Sequence, residues 1–239
     1  MSDCKAVFVT DFDGTITAVD FYKLAVERLL EPADLAPWDA YRAGAITHFE
    51  AVREIFLRIR APESRVLELL ADMRPDPELP RYVRALREAG WRVVVASAGC
   101  GWYIGKILAK FGVELEVHCN PGVYREGGPL DMSLPLGDPF CSESFGIDKP
   151  GIVRHYLDAG LPVVYAGDGP PDLEPALLLP ASRRFARADL ADALTAAGEG
   201  YRPFKVWSDT ARALLAEPLP EAVSGSSGPC PGTGQRGAS

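Results

Sequence analysis

At 239 residues and 47% hydrophobic, the chain is long enough for one large domain, or a core domain with a small insert, around a proper hydrophobic core. Its 25 Lys and Arg against 33 Asp and Glu give a formal charge of -8 with no basic block, which argues against nucleic acid as a partner and favours a small ligand held by local positive groups. No run reaches the ~18 apolar residues of a membrane span, and no cationic N-terminal segment leads into an apolar one, so a cytoplasmic protein without a membrane partner, monomer or homodimer, is expected.

The first predicted strand, residues 5–10, is apolar and β-branched and ends in Asp11-Phe12-Asp13-Gly14-Thr15. It delivers two carboxylates to the carboxyl end of a buried strand, where open α/β sheets place their chemistry. A carboxylate there can act as a nucleophile if a cation masks its charge and a neighbouring acid protonates the leaving group; Asp11 and Asp13 fit those two roles. The competing reading is an acidic turn in which Gly14 supplies the turn conformation.

Residues 20–72 then break the strand–helix alternation and read as consecutive helices over 20–31, 36–43, 47–59 and 62–72, punctuated by Pro32, Pro37 and Pro62. This predicts a helical cap, residues 19–74, inserted after the first strand of a core made of residues 1–18 and 75–218. A second strand, 91–96, leads into Ser97-Ala98-Gly99, which can offer the Ser97 hydroxyl and backbone N–H groups to an anion, or simply a helix cap. After a third strand at 113–118, residues 119–146 are rich in Gly, Pro and Asp and read as a hairpin or extended excursion. Lys149, ahead of Pro150 at a helix start, can neutralise a phosphate oxygen, although a lone lysine is more often merely solvated.

A strand at 162–166 leads into Gly167-Asp168-Gly169-Pro170-Pro171-Asp172, where Asp168 is placed to bind a hard divalent cation. Asp172 begins the next helix, either holding metal-bound water or Lys149, or capping the helix. A last strand falls near 183–186, and residues 219–239, dominated by Gly, Ser and Pro from Ser224 onward, read as a disordered tail. The alternation predicts an α/β fold with a doubly wound, parallel, Rossmann-like sheet. Five scattered cysteines, Cys4, Cys100, Cys119, Cys141 and Cys230, show no Cys-x-x-Cys spacing and read as reduced thiols. His48, His118 and His155 lack metal-ligand spacing and read as structural or surface residues.

The order of these strand-end motifs, Asp11-Phe12-Asp13-Gly14-Thr15, Ser97-Ala98-Gly99, Lys149 and Gly167 to Asp172, resembles the haloacid dehalogenase superfamily over about residues 5–215. That resemblance implies an aspartyl-phosphate mechanism with magnesium: Asp11 as nucleophile and Asp13 as general acid and then base. Ser97, Ala98 and Lys149 would bind the phosphoryl group. The Asp11 carboxylate, the Asp13 backbone carbonyl and Asp168 would hold Mg2+, with Asp172 behind them. Dehalogenating members lack the second aspartate, so Asp13 implies phosphoryl transfer.

A helical cap between the first two motifs resembles the phosphoserine-phosphatase-like branch. Within it, Asp11 to Thr17, His118-Cys119-Asn120, Asp148-Lys149-Pro150 and Arg184 to Arg187 are similar to the MtnX-type phosphatases of methionine salvage, which act on a methylthio-substituted keto-pentenyl phosphate, and to their phosphocholine and phosphoethanolamine phosphatase relatives. There are departures. Asp20 stands where the branch carries an amine-binding Glu, and its carboxylate-binding Arg aligns near Phe56, flanked by Arg53 and Arg58. Ala98 replaces a second glycine, and a cysteine-rich run before the lysine is reduced to Cys141. The expected substrate is therefore a small neutral or weakly polar phosphate ester rather than phosphoserine. Asp20, Phe49, Arg53 and Phe56 are the candidate specificity residues, with Tyr22, Trp102 and Tyr103 as further candidates for an apolar wall.

Ala, Pro and Arg usage suggests a GC-rich genome, where such phosphatases also serve specialised biosynthesis. A receiver domain is excluded by length and by the nucleophile's place on the first strand. A phosphoserine phosphatase remains the first alternative, and behind it a phosphomutase, with Arg42, Arg53 and Arg58 gripping a second phosphate, or a non-catalytic binder of phosphate ligands.

Overall fold

The computed structural model describes residues 4–220, so residues 221–239 of the segment read as a tail, Cys230 among them, lie outside the described residues. The first strand, β1 (Ala6–Thr10), is buried along its whole length. Its side chains alternate between two cores, Phe8 on one face and Val7 and Val9 on the other. A strand covered on both faces needs the continuous apolar run that the sequence supplies.

Five helices separate β1 from β2 (Trp91–Cys100): α1 (Phe21–Leu29), α2 (Ala36–Arg42), α3 (His48–Phe56), α4 (Glu63–Asp72) and α5 (Leu79–Glu88). After β2 come α6 (Gly101–Lys110), β3 (Glu116–Asn120), the hairpin β4 (Gly122–Tyr124) and β5 (Leu130–Met132), and a second small hairpin, β6 (Cys141–Ser142) and β7 (Gly146–Ile147). Then follow α7 (Lys149–Asp158), β8 (Val163–Gly167), α8 (Leu173–Leu177), β9 (Arg184–Ala186), α9 (Ala188–Ala196), β10 (Arg202–Pro203) and α10 (Trp207–Ala216). The main sheet has six parallel strands in the order β10-β9-β8-β1-β2-β3, with β1 and β8 adjacent at its centre.

Three sequence expectations need correction. The third strand begins at Glu116 rather than 113, because α6 closes at Gly112, whose φ of +62° reverses the chain. Strand β2 continues through Ser97-Ala98-Gly99 to Cys100 instead of turning at Ser97, and its register against β3 shifts between Ala96 and Cys100. The edge strand β10 was not anticipated, since two residues ending in Pro carry no periodicity.

Helices α1 to α4 form a block over one end of the sheet, whereas α5 packs on β2 and α10 with the sheet's own helices. The chain enters and leaves that block through two segments lying side by side. Thr17 bridges Pro75, Ala18 N donates to Met73 O at 2.9 Å and Asp76 N to Ile16 O at 3.0 Å. Asp76 fixes the returning segment by accepting the Ser208 N–H of α10 at 2.7 Å. On the other side the β4–β5 hairpin clasps α3: Arg53 Nε donates to Met132 O at 2.7 Å and its Nη2 reaches Asp131 at 3.1 Å. Among the described residues, Cys100, Cys119 and Cys141 are free thiols, and no helix is long and apolar enough to cross a membrane.

Candidate active site

Adjacent central strands bring two motifs together. Asp11 N donates to Ala166 O at 2.9 Å, extending the β1–β8 ladder by one residue and setting Asp11 beside Asp168. Beyond Asp11 the chain folds into a turn in which the N–H groups of Thr15, Ile16 and Thr17 converge on Phe12 O. Gly14 occupies that turn with φ +71°, and a Cβ there would lie 2.1 Å from Asp168 Oδ2 and 2.6 Å from Asp20 Oδ1. Both the backbone conformation and the lack of a side chain are required.

Asp172 braces the β8 loop. Its Oδ2 accepts the N–H groups of Asp168 and Gly169 at 3.0 and 2.9 Å, and its Oδ1 accepts from Tyr165 OH and Lys149 Nζ, each at 2.6 Å. Lys149 opens α7, which Asp148 caps by accepting Gly151 N at 2.8 Å. Only 3% exposed, Lys149 also donates to Asp11 Oδ1 at 2.7 Å. Burial works against its charge, but Asp11 and Asp172 outweigh it and hold the ammonium above its ordinary range. Burial raises Asp11 well above the carboxylate range against the pull of Lys149, with Asp172 and Asp168 adding repulsion. Asp168 is pushed up to about 7 by burial and by the charges of Asp172 and Asp20, although Thr15 Oγ1 donates to it at 3.0 Å.

Oxygen atoms of Asp11, Asp168 and Asp172 all lie within 4.8 Å of one another. Three carboxylates with one ammonium between them leave a deficit of positive charge, and hard oxygen donors suit a divalent cation such as Mg2+. The four hydrogen bonds already made by Asp172 leave Asp11 and Asp168 as the groups free to hold such an ion.

Asp13 Oδ1 accepts the Phe21 N–H at 3.0 Å and Oδ2 accepts Tyr103 OH at 2.7 Å. Burial, opposed by the Phe21 N–H and by Tyr103 and reinforced by Asp20, sets its carboxyl at about 6. Ser97 is buried, its Oγ accepting Gly99 N at 3.0 Å, and Asn120 Nδ2 ties down the end of β2 by donating to Ala98 O at 2.8 Å.

A cavity of about 410 Å³ collects Asp11, Asp13, Ser97, Ala98, Lys149, Asp168 and Asp172. Of the expected specificity residues, Asp20 and Phe56 line it, as do Tyr22 and Tyr103. Phe49 and Arg53 do not: Phe49 is packed in the core with its N–H on Ser144 O at 3.0 Å, and Arg53 is turned to the β4–β5 hairpin. Trp102 stacks on Tyr124 at 5.1 Å, Arg58 donates to Asp34 O at 2.8 Å, and Arg42 sits 3.4 Å from Asp39; none lines the cavity. His48, read from the sequence as structural or surface, is part of the cavity wall with Trp38, Tyr41 and Phe145. The Trp38/Tyr41 spacing, i and i+3 on one face of a short helix, is the one signal that could have announced this wall.

The family model for haloacid dehalogenase-like hydrolases matches residues 8–177. A 2-hydroxy-3-keto-5-methylthiopentenyl-1-phosphate phosphatase of Brevibacillus brevis is 28% identical over 88% of this chain and 95% of its own. The protein of the same name from Bacillus velezensis is 24% identical over 83% of this chain and 85% of its own. Among solved structures, a phosphoserine phosphatase holding a phospho-aspartyl intermediate analogue superposes with a TM-score of 0.62 at 16% identity, covering 87% of this chain and 98% of that one. The likeness is one of fold, a parallel central sheet flanked by helices. Because the matched region runs from β1 to α8 and includes every strand-end motif, the chain belongs to the haloacid dehalogenase-like hydrolase family.

Proposed function

We propose that this chain is a magnesium-dependent phosphomonoesterase that passes the phosphoryl group of a small metabolite ester to Asp11 and then to water. The observation that carries this reading is the buried Asp11–Lys149–Asp172 linkage with Asp168 beside it and a separately poised acid, Asp13. Asp11 attacks phosphorus as the ester P–O bond breaks, and the Asp13 proton goes to the departing alkoxide. Asp13, now a carboxylate, takes a proton from water, which displaces the Asp11 carboxylate and frees inorganic phosphate. Lys149, Ser97 and the backbone at Ala98 bind the transferred oxygens. Asp11, the Asp13 carbonyl and Asp168 hold Mg2+, which offsets the charge of the phosphoryl oxygens when bound. Asp172 acts through others, holding Lys149 and the β8 loop.

Residues 19–74 serve as a cap, excluding water during the first transfer and admitting it for the second. A keto-pentenyl phosphate of methionine salvage, the substrate named for the two bacterial relatives, leads the candidate esters. Phosphoserine is disfavoured because, among the described residues, no arginine lines the cavity to receive its carboxylate. Mg2+-dependent phosphate release across a panel of small esters, with Asp11→Asn as the blank, tests the reading. Release that vanishes in the variant supports it, and none from any ester with folded protein overturns it.

A further inference from the structure

The inner end of the cavity is crowded with carboxylates, but its outer wall is of a different kind. Trp38 and Tyr41 of α2 lie 5.2 Å apart, and the His48 ring stands edge-on to both at 5.5 Å. Phe145 packs against the imidazole at 5.2 Å, and Tyr22 continues the wall 5.3 Å from Trp38. His48 Nδ1 is sealed in without a hydrogen-bond partner, so the polar edge this ring can present to the cavity is Nε2. Burial, with the Lys149 charge adding to it, pushes the imidazole down to about 4, which keeps it neutral near pH 7.

The wall offers nothing to a second charge. Lys23 and Lys149 are the cations lining the cavity among the described residues, and both are committed, Lys23 to Asp20 at 2.6 Å and Lys149 between Asp11 and Asp172. A further anionic group would be desolvated there without a counter-charge, which is strongly unfavourable. A cationic group fares no better against the wall. The Asp20 Oδ2 is taken by Lys23, and its Oδ1 is sealed from solvent, turned with Asp168 Oδ2 toward Gly14. Asp189 lies exposed at the rim, where its charge is solvated.

We propose that the substrate's leaving group is an uncharged alcohol whose skeleton stacks on Tyr22, Trp38, Tyr41 and Phe145 and whose hydroxyl or carbonyl oxygen accepts a hydrogen bond from His48 Nε2. This deepens the phosphomonoesterase reading and rests on it. His48 then acts as a specificity residue outside the strand-end motifs.

The test uses four esters of similar size: dihydroxyacetone phosphate, propyl phosphate, phosphoserine and phosphoethanolamine. In the unmodified enzyme dihydroxyacetone phosphate has the highest kcat/KM and the two esters carrying an extra charge the lowest. The ratio of kcat/KM for dihydroxyacetone phosphate over propyl phosphate falls roughly tenfold in His48→Phe, the factor one hydrogen bond of this kind supplies, and recovers in part in His48→Gln. An unchanged ratio in His48→Phe, or a preference for phosphoserine or phosphoethanolamine, overturns the proposal. If no ester, nor a generic aryl phosphate, releases phosphate, the phosphomonoesterase reading fails instead. Calorimetric titration of the same four esters onto unmodified and His48→Phe protein then decides the proposal by the same ratio of affinities.

Discussion

A single phenol tunes the Asp13 carboxyl, on top of the larger effects of burial and the Phe21 N–H. Tyr103 OH donates to Asp13 Oδ2 at 2.7 Å and so stabilises the charged carboxylate against the burial that raises it to about 6. Removing that donor in Tyr103→Phe lifts the Asp13 carboxyl further. In the proposed mechanism Asp13 must carry a proton to release the alcohol, so the alkaline limb of the kcat/KM profile moves to higher pH, and a pH series on the variant checks this; a shift to lower pH would refute the assignment. The pairing itself could not be read from the sequence, because the two residues lie 90 positions apart and meet only through the packing of α6. Asp11, Lys149 and Asp168, by contrast, were legible as candidates, since each sits at a strand end or helix start that periodicity alone locates. His48 was not, because what makes it part of a cavity is the company of α2 and the β6–β7 turn, neither of which its own neighbours along the chain announce.

At the scale of an element, α3 carries both Phe56 and His48 into the cavity and depends on its first turn to do so. Thr47 Oγ1 caps it by accepting the Glu50 N–H at 3.2 Å while Glu50 Oε2 accepts the Thr47 N–H at 2.7 Å. Thr47→Ala should cost ~1 kcal/mol of unfolding free energy, measured by urea denaturation. With His48 the next residue, KM for small esters rises severalfold in the same variant; a KM unchanged at lowered stability would separate the cap from the wall. The strand ends of the fold were readable to within a few residues except where β2 runs on through Ser97-Ala98-Gly99. There the small residues that suggested a turn instead let α6 start immediately, and a Cβ at Gly99 would come 2.6 Å from Asp13 Oδ2.

Over the whole molecule, buried acid and pH are linked. Asp13 at about 6 and Asp168 at about 7 both bind protons more tightly folded than unfolded, so their contribution is complete in acid and is lost as pH rises through those values. His118, raised against burial by Glu116 and Asp138, acts in the same sense. His48 opposes them only below its ordinary value near 6.5. Between about pH 6.5 and pH 8 the thermal midpoint of metal-free protein therefore falls by several degrees, and Mg2+ restores more of it at the upper end. Scanning calorimetry with and without Mg2+ tests this, and a midpoint that climbs with pH in metal-free protein would contradict it. The clasp between Arg53 and the β4–β5 hairpin ties α3 to that hairpin, and Arg53→Ala should loosen the proposed cap, raising KM severalfold with little loss of kcat on a generic aryl phosphate.

The two side-by-side segments at Ile16–Asp20 and Met73–Asp76 bear on how such a protein changes over generations. Because entry and exit already touch, with Ala18 bonded to Met73, the helices between them close a loop whose ends the sheet holds in place. Lengthening or exchanging that loop adds little closure entropy and leaves the strand tips undisturbed. Selection can thus treat the helices as a replaceable cassette, trying new leaving-group compartments on one unchanged phosphate-handling base.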